Sequence, residues 1–89
     1  MKFVDARKEF GLKLRAYREE AGFTQRQMMK KLKLQGPQFI SNFERGMSLP
    51  PLPMLGKMCT LYRMNHAKVL DQFVKTMRYH FQERMGGKW

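Results

Sequence analysis

The chain has 89 residues, with 18 lysines and arginines against seven acidic residues, two histidines and one cysteine, for a formal net charge of +11. A chain this small buries about two-thirds of its surface on folding, which allows one modest core and excludes a second domain or a cleft between lobes. A single cysteine excludes an internal disulfide framework, and the distant histidines His66 and His80 give no metal-ligand spacing.

The 43% hydrophobic content is too high for a disordered basic tail. The charge is also spread along the chain. Residues 1–46 hold 11 basic and 5 acidic groups, residues 47–64 hold two and none, and residues 65–89 hold five and two. A basic surface built into a fold is expected, and its usual partners are nucleic acid or an anionic membrane. No apolar run approaches the length of a membrane span, and the opening MKFVDARKEF lacks the apolar stretch of a signal peptide. With a lone Cys59, the expectation is a cytoplasmic protein, with no membrane partner.

Helical periodicity dominates. In the first helix, from Asp5 as N-cap to Ala21, Phe10, Leu14 and Tyr17 recur at i, i+4 and i+7, and Gly22 stops it. The second helix has the best-marked start. Thr24 and Gln27 have the spacing of a capping box, and Phe23 and Met28 that of a hydrophobic staple. It runs over about 24–32. A break at 33–36 leads to a third helix over about 37–45, with Pro37 at its first position, Ile40 and Phe43 inward and Gly46 at its end. The prolines of Ser48–Pro53 form a rigid connector. Helix four follows, with Leu55, Met58, Cys59 and Tyr62 on one face. Asn65 caps a fifth helix of about twenty residues whose apolar stripe is Leu70, Phe73, Val74, Met77, Phe81 and Met85. Residues 86–89 read as a flexible end. The expected fold is all-α, five helices: a domain over 1–64, and an extended C-terminal helix over 65–85.

Two short helices joined by a turn, the second closing on Phe43-Glu44-Arg45-Gly46, are where the chain resembles the lambda-repressor-like (XRE-type) helix-turn-helix family. The resemblance covers residues 10–64, about 60% of the chain. Its landmarks are Leu14, Arg18 and Gly22, then Thr24-Gln25, then Met28, Leu32 and Leu34. Ile40-Ser41, Glu44-Arg45-Gly46, Pro50 and the apolar pattern of helix four complete it.

The resemblance implies a sequence-specific regulator that lays helix three in the major groove of duplex DNA while helix two braces it. It makes Gln25 a phosphate contact, places Gln38 and Asn42 on the base-reading face and pairs Arg18 with Glu44 as a structural ion pair. Amides of Gln or Asn can hydrogen-bond adenine in bidentate fashion, worth roughly 1–3 kcal/mol of discrimination. Ser41 is a further base-contact candidate. Phe39 has two readings, against a thymine methyl or in the core. Thr24, Arg26, Lys30, Lys31, Lys33 and Arg45 join Gln25 as phosphate-contact candidates, which position without reading sequence. Departures from the family pattern are Met29 for a small residue, Lys33 and Arg63 each for a usual Gly, Pro51 and Pro53 after Pro50, and one extra residue between Leu34 and Ile40.

Helix five is longer than a four-helix core can cover, since twenty residues extend about 30 Å. The expected complex is a two-fold homodimer through its stripe, a repressor of bacterial or phage type on an inverted-repeat operator, nucleoid-associated when bound; the alternative is that this helix folds back on its own domain. The competing readings are an antitoxin-like protein or a transcriptional co-factor whose C-terminal helix binds another protein. Cys59 reads as core filler and the methionines as adaptable packing. No acid–base or nucleophile constellation points to an enzyme, and no cofactor or metal is expected.

Overall fold

The computed structural model describes residues 6–84. They form α1 (Ala6–Glu20), α2 (Gln25–Lys31), α3 (Gln38–Glu44), α4 (Leu52–Tyr62) and α5 (His66–Arg84), with no strand among the described residues. The fold is all-helical, as expected. The Asp5 cap, Met85 and the end over 86–89 lie outside the described residues.

The capping box of α2 forms as the sequence spacing indicates. The Gln27 amide donates to Thr24 Oγ1 at 3.0 Å, and the Thr24 amide donates to Gln27 Oε1 at 2.8 Å. Asn65 caps α5 by accepting from the Lys68 amide at 2.9 Å. Helix four begins earlier than expected. Pro53 lies inside its first turn, where a missing N–H leaves no intrahelical bond unmade, so the rigid connector is shorter than 48–53.

Four helices end in one hydrogen-bond pattern. After α1, Phe23 N–H bonds to Arg18 O and Gly22 N–H to Glu19 O; after α3, Met47 bonds to Asn42 and Gly46 to Phe43. After α2, Leu34 bonds to Met29 and Lys33 to Lys30; after α4, Met64 bonds to Cys59 and Arg63 to Thr60. This is the Schellman arrangement, whose turning residue adopts a left-handed conformation. Gly22 and Gly46 take it at φ 85° and 76°, whereas Lys33 and Arg63 take it at 56° and 57° with a full side chain. Lys33 and Arg63 therefore make the same left-handed turn without a glycine.

One core joins all five helices. It contains Phe10 and Leu14 of α1, Met28 and Leu32, Ile40 and Phe43 of α3, and Leu55, Met58, Cys59 and Tyr62 of α4, with Met64, Val69 and Phe73. Phe10 and Phe73 meet with ring centroids 5.8 Å apart. Phe73, expected in the dimer stripe, is instead buried in the core of the chain itself, with Val69 and Thr76 beside it on α5. The stripe of α1 also shifts. Its inner face runs Phe10, Leu14, Arg18 at i, i+4, i+8, leaving Tyr17 exposed, because Glu44 supplies a partner for a buried arginine. Burial pushes the Cys59 thiol above its ordinary range, which suits packing and not nucleophilic chemistry.

Candidate nucleic-acid interface

Helix α3 is held from behind by a buried polar knot. Arg18 Nε donates to Glu44 Oε2 at 2.5 Å and its Nη2 donates to Oε1 at 3.1 Å. Its Nη1 donates to the Phe23 carbonyl at 2.6 Å. Gln25 Nε2 adds a bond to Glu44 Oε1 at 3.0 Å. One carboxylate thereby ties the end of α3 to α1 and to the first residue of α2, which sets the angle between the two short helices. The hydrogen bonds to Glu44 hold the Arg18 guanidinium more firmly protonated than usual, against the opposing effect of burial. Both side chains are almost fully buried, so the pair is bidentate and dry.

Glycine 11, absent from the sequence-level landmarks, makes the contact between α1 and α3 possible. It is buried, and a methyl there would collide with the carbonyl oxygens of Glu44 and Phe43. The signal available in the sequence was a glycine inside a helical pattern, which marks close packing when it persists there. A methyl at Gly46 would stand 2.7 Å from the Lys8 amide nitrogen, so the start of α1 touches the end of α3. The exposed Lys8 accordingly joins Arg45 at one edge of the surface, a neighbour no sequence spacing indicated.

The outward face of α3 follows from what is buried. Ile40, Phe43 and Glu44 point inward. At about 100° per residue, Gln38, Ser41, Asn42 and Arg45 fall within an arc of about 100° on the opposite side. Gln38 and Arg45 are exposed, and Ser41 and Asn42 half-buried. Phe39 lies about 60° outside that arc and is 39% exposed, on the flank and not in the core. Arg45 Nη2 donates to Asn42 Oδ1 at 3.0 Å, which orients the amide while leaving its NH2 and one oxygen lone pair open. Gln38 bends back over the buried Gly36.

The basic side chains separate into two groups. Arg26 and Lys30 share one exposed azimuth of α2, and Lys33 projects from the turn. Lys31 lies 5.4 Å over the Phe23 ring, on the flank of α2 away from Gln25. Thr24 is engaged in its capping box and Gln25 in the ion-pair knot, so each holds the protein's own groups as well as facing outward. Between residues 24 and 46 the only carboxylate is Glu44, which is buried. The surface of α2, turn and α3 therefore exposes five cations and no acid.

This arrangement, a short outward helix braced by a second across a six-residue connection, meets its family in the comparison with known proteins. The profile of the family described as "Helix-turn-helix domain" matches residues 9–71. The chain belongs to that family. The match spans the two short helices, the arginine–glutamate knot and the first turn of α5, so the helix-turn-helix geometry and the sequence landmarks coincide. No curated protein and no solved structure matches the chain. Among the described residues no helix is long and apolar enough to cross a membrane, and no cluster of His, Cys, Asp or Glu could hold a metal ion.

Proposed function

We propose that this helix-turn-helix domain is a sequence-specific double-stranded DNA-binding transcriptional regulator, a dimeric repressor of bacterial or phage type. The observation that carries the reading is the surface over residues 24–46, where five exposed cations and no exposed carboxylate surround a helix with Gln38, Ser41, Asn42 and Arg45 outward. Helix α3 enters the major groove. Gln38 and Asn42 read base edges, with Ser41 beside them and Phe39 positioned at the flank for a thymine methyl. Arg26, Lys30, Lys33, Arg45 and Lys8 hold phosphates, and Thr24 and Gln25 flank the same strand. Lys31 contributes charge while stacked on Phe23. The protein works in the cytoplasm, on the nucleoid, through two copies whose recognition helices sit about one helical turn apart, roughly 34–36 Å, on an inverted repeat.

Selection of bound duplexes from a random pool tests this directly. Enrichment of a site with dyad symmetry is the expected result. Affinity for that site should fall with salt by about 0.9 log units per log unit of salt for each neutralised phosphate. A pool that shows no enrichment, or binding insensitive to salt, would overturn the reading.

A further inference from the structure

The outer surface of α5 carries a half-exposed row, Leu70, Val74, Met77 and Phe81, each between 42% and 53% exposed. Their spacings of four, three and four residues keep them within about 60° of arc on a helix. The inner line of the same helix, Val69, Phe73 and Thr76, is already buried in the protomer and lies about 100° away. Alternation of three and four is the spacing of a seam between two helices. The core bounds one flank of the row. The other flank is lined by Asp71 and Arg78, both exposed and seven residues apart, hence nearly one above the other.

We propose that the row is covered by α5 of a second copy running antiparallel, with Asp71 of each protomer facing the partner's Arg78. This rests on the dimeric reading above and gives it a geometry. In a two-fold interface residue i meets j and j meets i, so every contact occurs twice. An antiparallel alignment centred between Val74 and Met77 sets Leu70 against the partner's Phe81 and Val74 against the partner's Met77. It also brings Asp71 within about two residues, ~3 Å along the axis, of the partner's Arg78. Opposite charges then close the solvent flank on both sides of the symmetry axis. A parallel alignment sets each residue level with its own copy, and neither charge gains a partner. Among the described residues Asp71 pairs with Lys75, at 3.3 Å with both side chains more than two-thirds exposed, a weak contact that leaves it available. The seam spans ~17 Å, short for the roughly 800 Å² per partner of a stable interface, so the flanking charges shift the equilibrium measurably.

Sedimentation of the full chain without DNA reads this independently of DNA binding. The wild type should dimerise. Asp71→Arg and Arg78→Asp should each weaken the dimer about tenfold, and the double variant, which restores opposite charges with their places exchanged, should return to within about threefold of wild type. Met77→Glu, at the centre of the seam, should give monomer. Circular dichroism melts of each variant separate a lost fold from a lost seam, and the exposed charge positions keep the test available if Met77→Glu unfolds. A monomeric wild type at high concentration overturns the seam. A dimer indifferent to the reversals, or a double variant no better than the singles, overturns the antiparallel pairing. DNA binding that persists in either case leaves the regulator reading standing.

Discussion

Arg18 of α1 and Glu44 of α3, 26 residues apart, meet in a buried two-point ion pair that also carries the Gln25 amide and the Phe23 carbonyl. The pair lies directly behind the outward face of α3. Taking two charges out of water is costly, so the pair adds little net stability, but leaving one partner alone is strongly unfavourable. Its contribution is the orientation of α3 against α2.

Glu44→Gln leaves the Arg18 guanidinium buried beside a neutral amide. The expected loss is about 3 kcal/mol, a fall in Tm of roughly 15 °C for a domain of this size. Arg18→Met should cost a similar amount. The double variant Arg18→Met/Glu44→Leu should be more stable than either single, because no buried charge remains unpaired. Denaturant melts of the four proteins complete the cycle. A loss below about 1 kcal/mol in Glu44→Gln would show that water reaches the pair.

Lys33 and Arg63 hold left-handed conformations at φ 56° and 57°. A side chain in that region costs roughly 1–2 kcal/mol, partly offset when glycine replaces it by the greater freedom of glycine in the unfolded chain. Lys33→Gly and Arg63→Gly should each stabilise the fold by about 0.5–1 kcal/mol, raising Tm by several degrees. Lys33→Gly should at the same time weaken the proposed DNA binding, since it deletes one of the exposed cations assigned to phosphate. Opposite movement of stability and affinity is the signature; loss of stability would mean that the Lys33 stem makes a packing contact of its own.

The reverse experiment applies at Gly11. Alanine is favoured over glycine in a helix interior by about 1 kcal/mol, so propensity alone calls for stabilisation. Here the methyl meets the Glu44 and Phe43 carbonyl oxygens, which are backbone and cannot rotate away. Gly11→Ala should therefore destabilise, by about 1–3 kcal/mol, and should displace the end of α3. A rise in Tm would show that the two helices can separate freely.

These residues also mark where the sequence was legible. The α2 start was, because its capping box is a local exchange of hydrogen bonds over four residues. The five helices were, because apolar spacing repeats within each. The apolar pattern puts Phe73 in the expected dimer stripe, because an amphipathic helix shows which residues are apolar but not which neighbour covers each side. The α5 surface has two apolar lines about 100° apart, and only the tertiary fold assigns one to the core. Tyr17 departs from the expected inner face for a related reason, since a pattern of apolar residues cannot anticipate that Arg18 is buried against a carboxylate 26 residues away. Gly11 and Lys8 act through contacts with the end of α3 that leave no trace in local spacing beyond the glycine itself. At Lys33 and Arg63 the left-handed turn forms without glycine, because the Schellman hydrogen bonds and the apolar residues that follow, Leu34 and Met64, hold the backbone in place.

Tyr62 sets an alkaline limit. Its hydroxyl is buried with no hydrogen-bond partner among the described residues, and burial, reinforced by Glu44 and opposed by Arg18, pushes the phenol well above its ordinary range. Below about pH 10 the phenol is neutral in folded and unfolded chains alike, and pH has no leverage through it. Above that, the unfolded chain releases a proton that the folded protein retains, so the unfolded state binds fewer protons and stability falls as pH rises. Cys59, also raised by burial, adds to the same slope from a lower starting pH. Tyr62→Phe should be neutral or slightly stabilising at pH 7 and should flatten the loss between pH 10 and 11, measured as denaturant midpoints across the range.

In the proposed complex Arg45 supplies affinity and Asn42 specificity, and the hydrogen bond between their side chains would couple the two. On that reading Lys30→Ala removes one proposed phosphate contact and nothing else. It should lower affinity for all sequences alike and reduce the salt slope by about 0.9. Asn42→Ala should leave the slope unchanged and lose roughly 1–3 kcal/mol of discrimination at one base pair of each half-site. Arg45→Ala should do both. It deletes a charge, and it also frees the Asn42 amide, whose oxygen Arg45 holds at 3.0 Å, so the preference at that same base pair relaxes in part. Salt titrations on the selected site and on its single-base variants separate the three outcomes. If Arg45→Ala matches Lys30→Ala at every base pair, the Arg45–Asn42 bond does not survive in the complex, and Asn42 reads its base without help.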